Sequence, residues 1–442
     1  MNLLKIENIK IADLREYAQN AKLHNEKQVK QIAESIKEFG FNNPILIDEV
    51  GEIIAGHGRL MAARELGLET VPVIRLSHLS AAQKRLYRIA DNKIAENGGW
   101  NTDLLKLEIS ELETIVGDLD LDLSITGFES LDLDVMFHAD DKSQKEKKAD
   151  EKANTVPFIS DDEIVTKPGD IWLLGQHKII CGNSLESETF EKLMGDARAD
   201  MCLQDPPYNV KISGHVCGNG AVQHKEFLMA SGEMSQDEFT QFLRKNFELC
   251  KQFSRAVSLN YNFMDWRHIR EICDAGHAVF SDFINMCVWQ KHNGGMGSLY
   301  RSQHELCFIF RNGKESHINN VELGKNGRYR TNVWSYAGVT SPANKGDLKM
   351  HPTVKPVEML KDAILDVTSR GDVVLDSFLG SGSTLVAAHQ SKRICYGIEL
   401  DPLYIDTTIR RFQTLFKIDA VHEASGKTYS ELLNEKRGGE NV

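Results

Sequence analysis

The carboxyl-terminal part of the chain contains a hydrophobic strand, a glycine-rich loop, a helix and a second strand in immediate succession. The strand sequence DVVLD at 372–376 runs into the loop DSFLGSGST at 376–384, then into the apolar sequence STLVAAHQ and the strand sequence RICYGIEL. Strands that alternate with helices in this way form a parallel sheet with helices on its faces, because consecutive parallel strands need a crossover connection. The segment therefore predicts a doubly wound, Rossmann-like α/β domain.

The glycine-rich loop has the features of a cofactor-binding loop. Gly380 and Gly382 permit close approach of the backbone to a ligand, and the helix that follows presents its N-terminus to anionic groups. Glu399 ends the next strand, about 20 residues after the first glycine, where such folds place a carboxylate on ribose hydroxyls. These features predict an adenosine-containing cofactor, and the spacing alone does not distinguish a nicotinamide cofactor from others.

A second motif, Asp205-Pro206-Pro207-Tyr208, follows the hydrophobic strand sequence ADMCLQ at 199–204. The two prolines restrict the backbone, so a carboxylate, a main-chain carbonyl and an aromatic ring are held together. The carboxylate and the Pro206 carbonyl can accept both N–H bonds of an amino group on a flipped-out base, while Tyr208 stacks on the ring. Alone, the tetrapeptide is also consistent with a simple turn at a strand end.

Taken together, the motifs resemble those of the amino-group DNA methyltransferases that use S-adenosylmethionine. DPPY resembles their catalytic loop, Phe378-x-Gly380-x-Gly382 their cofactor loop, GIELDP at 397–402 their ribose-binding strand end, and HPTVKP at 351–356 the segment before the cofactor loop. The catalytic loop precedes the cofactor loop, which is the class β arrangement of that family. The resemblance implies a site-specific DNA methyltransferase (adenine-specific) within residues 157–428.

The resemblance also implies the residues of the site. Asp205, Pro206, Pro207 and Tyr208 would be catalytic. S-adenosylmethionine would be bound by residues of four segments: Asn183, Thr353, Lys355, Asp376, Phe378, Gly380, Ser381, Gly382, Ser383 and Glu399. Relatives often carry an Asp where this chain has Asn183, so the expected contact to the cofactor adenine is made by an amide here.

We expect the product to be N6-methyladenine in DNA. N4 of cytosine is the nearest alternative, and Asp205 favours adenine because the family's DPPY motif leans toward adenine and its SPPY motif toward cytosine. Two further alternatives are a ParB-like DNA-binding adaptor with weak catalysis and an NAD-dependent oxidoreductase. The intact DPPY motif argues against both. Restriction–modification or prophage context is an expectation from the resemblance.

The charge distribution points to the DNA-binding segment. The chain carries a net charge of −12, but residues 291–361 contain eleven Lys or Arg and five acids, which suits phosphates. Target recognition is expected within about 209–350, where Trp289, Tyr300, Tyr329 and Trp334 could serve as wedges between bases. A mobile loop over DNA is expected at Gly294, Gly295 and Gly297. The candidate contacts to double-stranded DNA are Lys291, Tyr300, Arg301, Arg328 and Arg330.

The first 95 residues predict a smaller α/β domain. The helix sequence 25–40, short strands and the sequence GEIIAGHGRLMAARELG at 51–67 resemble the ParB-like domain. Gly56, His57, Gly58 and Arg59 at a helix start could bind phosphate, and hence a nucleotide. The related sulfiredoxin activity is excluded, because its catalytic Cys has no counterpart here, and a nuclease role has no evident carboxylate cluster. We expect this domain to modulate methylation.

The remaining segments complete the predicted organisation. An acidic helical extension is expected at 96–138, a charged linker at 139–156 and a frayed tail at 429–442. No metal ligands are expected, and the cysteines show no C-x-x-C pair. No apolar run is long enough to cross a membrane and no signal sequence opens the chain, so a cytoplasmic location is expected.

Overall fold

The computed structural model describes residues 4–119, 123–138, 152–157, 159–210, 232–292, 294, 299–321, 330–338 and 354–439. The chain divides into two compact units, Met1–His138 and Ala139–Val442. In the described part of the chain, no helix is both long enough and apolar enough to span a membrane.

The amino-terminal unit contains a four-stranded sheet in the order β1-β4-β2-β3. Its strands are β1 Ile6–Lys10, β2 Ile45–Ile47, β3 Ile53–Ala55 and β4 Thr70–Arg75. Its α-helices are α1 Glu26–Phe39, α2 His57–Glu65, α3 Ala81–Glu96, α4 Thr102–Leu119 and α5 Ser130–His138. The helix predicted over 25–40 is confirmed: Asn25 caps its start, and Gly40 ends it with a φ of 82°. Strand β1 is an addition to the prediction.

The second unit is built on a ten-stranded sheet in the order β11-β9-β10-β8-β7-β12-β13-β6-β5-β14. Its strands are β5 Ile171–Leu174, β6 His177–Cys181, β7 Ala199–Gln204, β8 Ser254–Met264, β9 Asp282–Gln290, β10 His304–Arg311, β11 Val333–Ser335, β12 Val373–Asp376, β13 Ile394–Glu399 and β14 Ala420–His422. Its α-helices are α6 Ser187–Met194, α7 Gln236–Gln252, α8 Ile269–Val279, α9 Val357–Val367, α10 Ser383–Gln390, α11 Pro402–Phe416 and α12 Tyr429–Gly439.

The five central strands β8, β7, β12, β13 and β6 are parallel to one another. From β7 the chain crosses through α7 to β8 on one side, and from β12 it crosses through α10 to β13 on the other side. Strand order therefore reverses between β7 and β12, and in doubly wound sheets such a reversal opens a crevice at the carboxyl ends of the strands. The predicted Rossmann-like α/β fold is confirmed.

Two predicted segments differ from the structure in the residues that it describes. The tail predicted at 429–442 is the helix α12 up to Gly439, and its Tyr429 is buried against Trp172. The linker predicted at 139–156 includes Ala153, which is 1% exposed and accepts a hydrogen bond from the Arg411 guanidinium. In the described residues of both segments, apolar or main-chain contacts anchor a sequence whose composition is mostly charged.

Candidate active site

The DPPY loop and the glycine-rich loop lie side by side. Asp205 follows the last residue of β7, and the loop DSFLGSGST leaves the end of β12, the strand that pairs with β7 in parallel. Glu399 ends β13, the next strand, and Asn183 follows β6 beyond it. Parallel strands bring their carboxyl ends to one edge. This edge therefore collects segments that are separated by up to about half of the chain.

Gly382 is the N-cap of α10 and has a φ of 80°, in the left-handed region. A Cβ atom there would come within 2.6 Å of the Thr408 side chain. Gly380 also has a positive φ, 54°, but a Cβ atom there would meet only the Phe378 carbonyl, at 4.0 Å. The loop consequently packs closely on α11 at Gly382 and has open space at Gly380.

Glu399 closes the glycine-rich loop from the neighbouring strand. Its carboxylate accepts the Gly380 N–H at 2.8 Å and the Asp401 N–H at 2.9 Å. Burial raises the pKa of Glu399 to about 7 although these N–H groups oppose the shift. A carboxylate oxygen has two lone pairs, so each oxygen retains capacity for a further donor such as a ribose hydroxyl.

Buried polar groups hold the other end of the loop. Asp376 accepts the Phe378 N–H at 3.0 Å, and burial raises its pKa to about 7. Arg411, 1% exposed, donates to the Ser381 carbonyl at 2.8 Å and to the Ser383 hydroxyl at 3.2 Å. The loop is thus pre-formed by hydrogen bonds to its own backbone and side chains.

A buried polar network joins this loop to the DPPY loop. Ser377 donates to the Gln204 side chain, next to Asp205, and Asn246 of α7 donates to the Ser377 hydroxyl and to the Ser184 carbonyl, each at 3.0 Å. Gln204 donates in turn to Asn262 of β8 at 3.3 Å. Residues adjacent to the predicted site residues are therefore linked directly through the interior.

The DPPY loop itself ends in a fixed turn. Asn209, immediately after Tyr208, has a φ of 52°, which is uncommon for a residue with a side chain. Its side-chain carbonyl accepts the Gly232 and Met234 N–H groups, and its amide donates to the Met234 carbonyl at 2.8 Å. These bonds hold a left-handed residue in place and fix where the loop turns.

Asp205 is the centre of a cluster of charged and polar side chains. Its Oδ2 atom lies 2.6 Å from Lys355 Nζ, and its Oδ1 atom accepts the Tyr208 hydroxyl at 2.8 Å. Glu305 of β10 accepts from the same hydroxyl at 3.2 Å, lies 3.1 Å from Lys355 Nζ and pairs with Lys291. Two carboxylates and two ammonium groups thus meet at the DPPY loop.

Burial raises the pKa of Asp205, and Lys355 opposes this shift. Burial also raises the pKa of Glu305, but Lys355 and Lys291 together lower it to about 2. Burial would lower the pKa of Lys355, yet the two carboxylates hold it above its usual value. Since the Lys355 ammonium group has two carboxylate neighbours, burial does not neutralise it.

The structure distributes the predicted cofactor residues unevenly. Asp376, Phe378, Ser381, Ser383 and the two glycines share one loop, with Glu399 beside it. Lys355, expected at the cofactor, contacts Asp205 and Tyr208 instead. Asn183 is engaged locally: its side chain accepts the Leu185 N–H at 3.0 Å and donates to Glu186 at 3.1 Å. Thr353 lies outside the described residues.

The protein itself engages several of the predicted DNA contacts. Arg330 pairs with Asp362 at 3.1 Å and Asp366 at 2.8 Å, and its side chain is 17% exposed. The expectation that it binds DNA is therefore wrong, because two carboxylates of α9 already neutralise it. Lys291 forms an ion pair with Glu305. Arg301 donates to the Gly294 carbonyl, whereas Arg328, Gly295 and Gly297 lie outside the described residues.

The aromatic residues expected as wedges also divide. Trp289 and Trp334 are 3% and 5% exposed, and the Trp289 indole donates to the Tyr336 carbonyl at 3.0 Å. A wedge role for these two is wrong, because both belong to the core of the sheet. Tyr300 is 84% exposed, and Tyr329 lies outside the described residues. Within the predicted recognition interval of about 209–350, three strands (β8, β9 and β10) belong to the central sheet and two helices (α7 and α8) contribute to the core. The recognition interval stays a prediction.

The amino-terminal unit presents its own glycine turn. Gly56 caps α2 with a φ of 104°, and Arg59 donates to the Asn43 and Pro44 carbonyls at 2.8 and 2.7 Å. Among the described residues, the buried Nε2 atom of His57 has no hydrogen-bond partner, and burial lowers the pKa of His57. Gly58 is tightly packed, since a Cβ atom there would lie 3.0 Å from Ile32. The four residues predicted as a phosphate site thus share one helix start.

Comparison with known sequences decides the family. The sequence model of the N6/N4 DNA methylase family matches residues 199–410, from β7 to α11, and so includes both loops. The chain thus contains an N6/N4 DNA methylase domain. In front of this methylase domain, the ParB N-terminal domain matches residues 2–92, and a ParB-methyltransferase HTH domain matches residues 103–168. This methylase is therefore fused to a ParB-type domain, as the motifs predicted.

Individual relatives agree with this division. The ParB-like nuclease domain-containing protein YnaK of Escherichia coli K12 is 56% identical over 82 residues, which are 19% of this methylase and 94% of YnaK. The type II methyltransferase M2.DpnII of Streptococcus pneumoniae is 29% identical over 244 residues, 52% of this chain and 88% of the relative. The crystal structure of an M1.HpyAVI-SAM complex aligns with 53% of this chain and 97% of its own, at 20% identity and a TM-score of 0.40.

Glu305, a member of the cluster around Asp205, was not singled out by the sequence analysis. Glu305 lies within the sequence SQHELCFIF, and nothing in that sequence separates it from a surface residue of a strand. A charged residue within an otherwise apolar strand is the available signal, because burying a carboxylate costs free energy unless it is paired. In the described part of the chain no three His, Cys, Asp or Glu side chains come together as a metal site would require.

Proposed function

We propose that this DNA methylase transfers a methyl group from S-adenosylmethionine to N6 of an adenine flipped out of duplex DNA. One observation carries the proposal: Asp205-Pro206-Pro207-Tyr208 and the glycine-rich loop stand at the carboxyl ends of two adjacent parallel strands. A base bound at the first loop and a cofactor bound at the second would meet in the crevice that such an edge provides.

The residues of the glycine-rich loop suit S-adenosylmethionine. Gly380 has open space where a side chain would stand, the N-terminus of α10 faces the loop, and the Glu399 carboxylate has lone pairs for ribose hydroxyls. When bound, the cofactor supplies a methyl group on a positively charged sulfur. The pre-formed loop contributes by fixing the direction in which that methyl group points, which raises its effective concentration at the base.

The DPPY loop would act on the amino group. Asp205 and the Pro206 carbonyl accept its two N–H bonds, which opposes delocalisation of the nitrogen lone pair into the ring. The nitrogen is then a better nucleophile, and no covalent intermediate with the enzyme is needed. After transfer, Asp205 or water takes the proton from the nitrogen. Before a base binds, the Tyr208 hydroxyl donates to Asp205 and holds the carboxylate in one orientation.

Adenine is the preferred base because the loop carries a carboxylate at its first position. In the family this motif leans toward adenine, and the serine form leans toward cytosine. N4 of cytosine presents a chemically similar amino group and is the alternative. A restriction–modification or prophage setting stays a prediction.

DNA binding is assigned to the surface near Tyr300. Leu299 and Tyr300 are both more than four-fifths exposed, directly before Arg301. Exposed apolar and aromatic side chains beside cationic ones suit a protein that unstacks a duplex. This patch lies within the wider basic stretch that the sequence indicated.

For the amino-terminal domain we propose binding of a nucleotide or DNA at Gly56–Arg59 and modulation of methylation. The glycine turn at the start of α2 and the unpartnered Nε2 atom of His57 support this assignment. Removing residues 1–138 tests it: DNA affinity, target choice or rate should change. If all three stay as in the full chain, the proposed role of the domain is wrong.

The base assignment is tested by incubating the full chain with methyl-labelled S-adenosylmethionine and unmethylated DNA and separating the digested nucleosides by mass. Label in N6-methyladenine is the expected result. Label in N4-methylcytosine would keep the mechanism and overturn the base. Absence of label, with cofactor binding intact, would favour the DNA-binding adaptor.

A further inference from the structure

Glu305 projects from β10 into the cluster around Asp205, and its side chain is 17% exposed. The strand is central in its half of the sheet, paired to β8 on one side and to β9 on the other. A carboxylate here is costly unless cations and donors satisfy it. Lys355, Lys291 and the Tyr208 hydroxyl do so.

We infer that Glu305 is a positioning residue for methyl transfer: it is a second acceptor for the two donors that occupy Asp205, so that Asp205 can exchange them for the amino group of the target base. The inference rests on the proposed function. It concerns neither the cofactor nor the recognition sequence.

The geometry around Tyr208 carries the first step. Its hydroxyl has one proton and lies 2.8 Å from Asp205 Oδ1 and 3.2 Å from Glu305 Oε2. The proton can therefore be donated to only one carboxylate at a time. When a base amino group binds Asp205, the hydroxyl can turn to Glu305 and remain satisfied.

Lys355 follows the same pattern. Its ammonium lies 2.6 Å from Asp205 and 3.1 Å from Glu305, and it also donates to the Tyr208 hydroxyl at 3.1 Å. An ammonium has three donors and no acceptor, so both carboxylates are held by one cation. A small shift toward Glu305 would free a lone pair of Asp205 without leaving a buried charge unpaired, which would be costly.

The charges around Asp205 support the same role for Glu305. The groups that face Asp205 are Lys355, Glu305 and Tyr208, and Asp376 and Cys307 lie within its electrostatic reach. Burial raises the pKa of Asp205, Lys355 lowers it and Glu305 raises it. Glu305 itself stays ionised because Lys355 and Lys291 hold its pKa near 2 against burial. Removing the Glu305 charge would therefore lower the pKa of Asp205.

The test compares Glu305→Gln, Glu305→Asp and the wild-type chain in single-turnover methyl transfer, with cofactor and unmethylated DNA saturating, across pH. Glu305→Gln keeps the shape and removes the charge; Glu305→Asp keeps the charge and shortens the reach. Glu315→Gln is the matched control, because Glu315 is exposed just beyond β10 and loses the same charge. Cofactor affinity and thermal unfolding are measured for all four proteins.

We expect Glu305→Gln to lower the single-turnover rate roughly tenfold to a hundredfold, the scale of one hydrogen bond to a charged group. The acid limb of its pH–rate profile should move to lower pH, because Asp205 would lose a proton more readily. Its cofactor affinity should be unchanged. Glu305→Asp should lose rate with the acid limb unmoved, and Glu315→Gln should match wild type.

A wild-type rate in Glu305→Gln, or a slower rate with an unmoved acid limb, overturns the inference. If Glu305→Gln does not fold, Glu305→Asp decides alone, and a wild-type rate in that variant overturns the inference. A wild-type chain that transfers no methyl group to DNA would instead refute the proposed function.

Discussion

At the scale of single residues, Gly382 carries the strictest steric demand of the site. A positive φ and a Cβ position 2.6 Å from the Thr408 side chain coincide there. Gly371, in the turn before β12, has nearly the same φ of 82° but no atom within 4 Å of its Cβ position. Substitutions at these two glycines therefore distinguish the effect of a left-handed backbone from the effect of steric crowding.

Gly382→Ala should abolish or strongly weaken cofactor binding, because the added methyl group displaces α11 from the loop. Gly371→Ala should only lower stability, by about 1 kcal/mol for a left-handed non-glycine residue, with cofactor affinity unchanged. Calorimetric titration with S-adenosylmethionine measures both. Equal affinities in the two variants would show that crowding at Gly382 is unimportant.

The buried carboxylate of Glu399 predicts a pH dependence of cofactor binding. Its pKa is raised to about 7 by burial, so it is largely protonated below that pH and ionised above it. The ionised form accepts ribose hydroxyls more strongly. Cofactor affinity should therefore fall as pH falls through 7, by up to about tenfold per pH unit.

Glu399→Gln is the control for this dependence. Its affinity should be low and should vary less with pH, and the remaining variation would report on Asp376, whose pKa is also about 7. Equal slopes of affinity against pH in wild type and Glu399→Gln would contradict the assignment of the ribose contact to Glu399.

At the scale of elements, β6 and α10 are joined by two neutral histidines. His177 accepts the Cys395 N–H through Nδ1 at 2.9 Å, so its proton is on Nε2, which then donates to His389 Nδ1 at 2.9 Å. Burial lowers the pKa of His177 to about 3. The pair fixes the end of the helix that begins at the glycine-rich loop.

This pair should make β6 and α10 acid-sensitive. The unfolded His177 binds a proton near pH 6.5, whereas the folded one resists protonation to about pH 3. The stability contribution is thus complete above about pH 6.5 and decreases as pH falls. The hydrogen-exchange protection of β6 and α10 peptides, relative to the intrinsic rate at each pH, should fall on acidification, and less so in His177→Asn than in the exposed His78→Asn control. Equal acid responses in those variants would contradict this account.

The sequence predicted which segments form strands and helices better than it predicted which side chains are buried. The strands at 199–204 and 372–376, the hairpin of β5 and β6 and the helix α10 follow from apolar runs and glycines. Trp289 and Trp334 could not be assigned to the core from sequence, because β11 pairs with β9 in parallel and places the two indoles in register. Such pairing depends on which strands become neighbours.

At the scale of the whole molecule, parallel topology explains which parts of the site were predictable. The meeting of the two loops was predictable, because both follow strands of one doubly wound sheet and the strand ends of such a sheet converge. The contact of Lys355 with Asp205 was not, since 150 residues separate them. The ion pairs of Glu305 and Arg330 were likewise not predictable from sequence, because they depend on the packing of distant elements.

Each candidate site lies within one of the two units. The methylase unit contains the DPPY loop, the glycine-rich loop and the Glu305 cluster, whereas the ParB-type unit contains Gly56–Arg59. The chemistry of methyl transfer can therefore be tested in the full chain by substitutions in the second unit alone.

The central claim is that Asp205 acts on the base and takes no part in holding the cofactor. Its most direct test is single-turnover methyl transfer by Asp205→Ala in the full chain, at saturating DNA, together with its affinity for S-adenosylmethionine. The account predicts a rate about 10² to 10⁴ times lower with cofactor affinity close to wild type. A rate near wild type would contradict the mechanism, and a matching loss of cofactor affinity would contradict the placement of Asp205 on the base side.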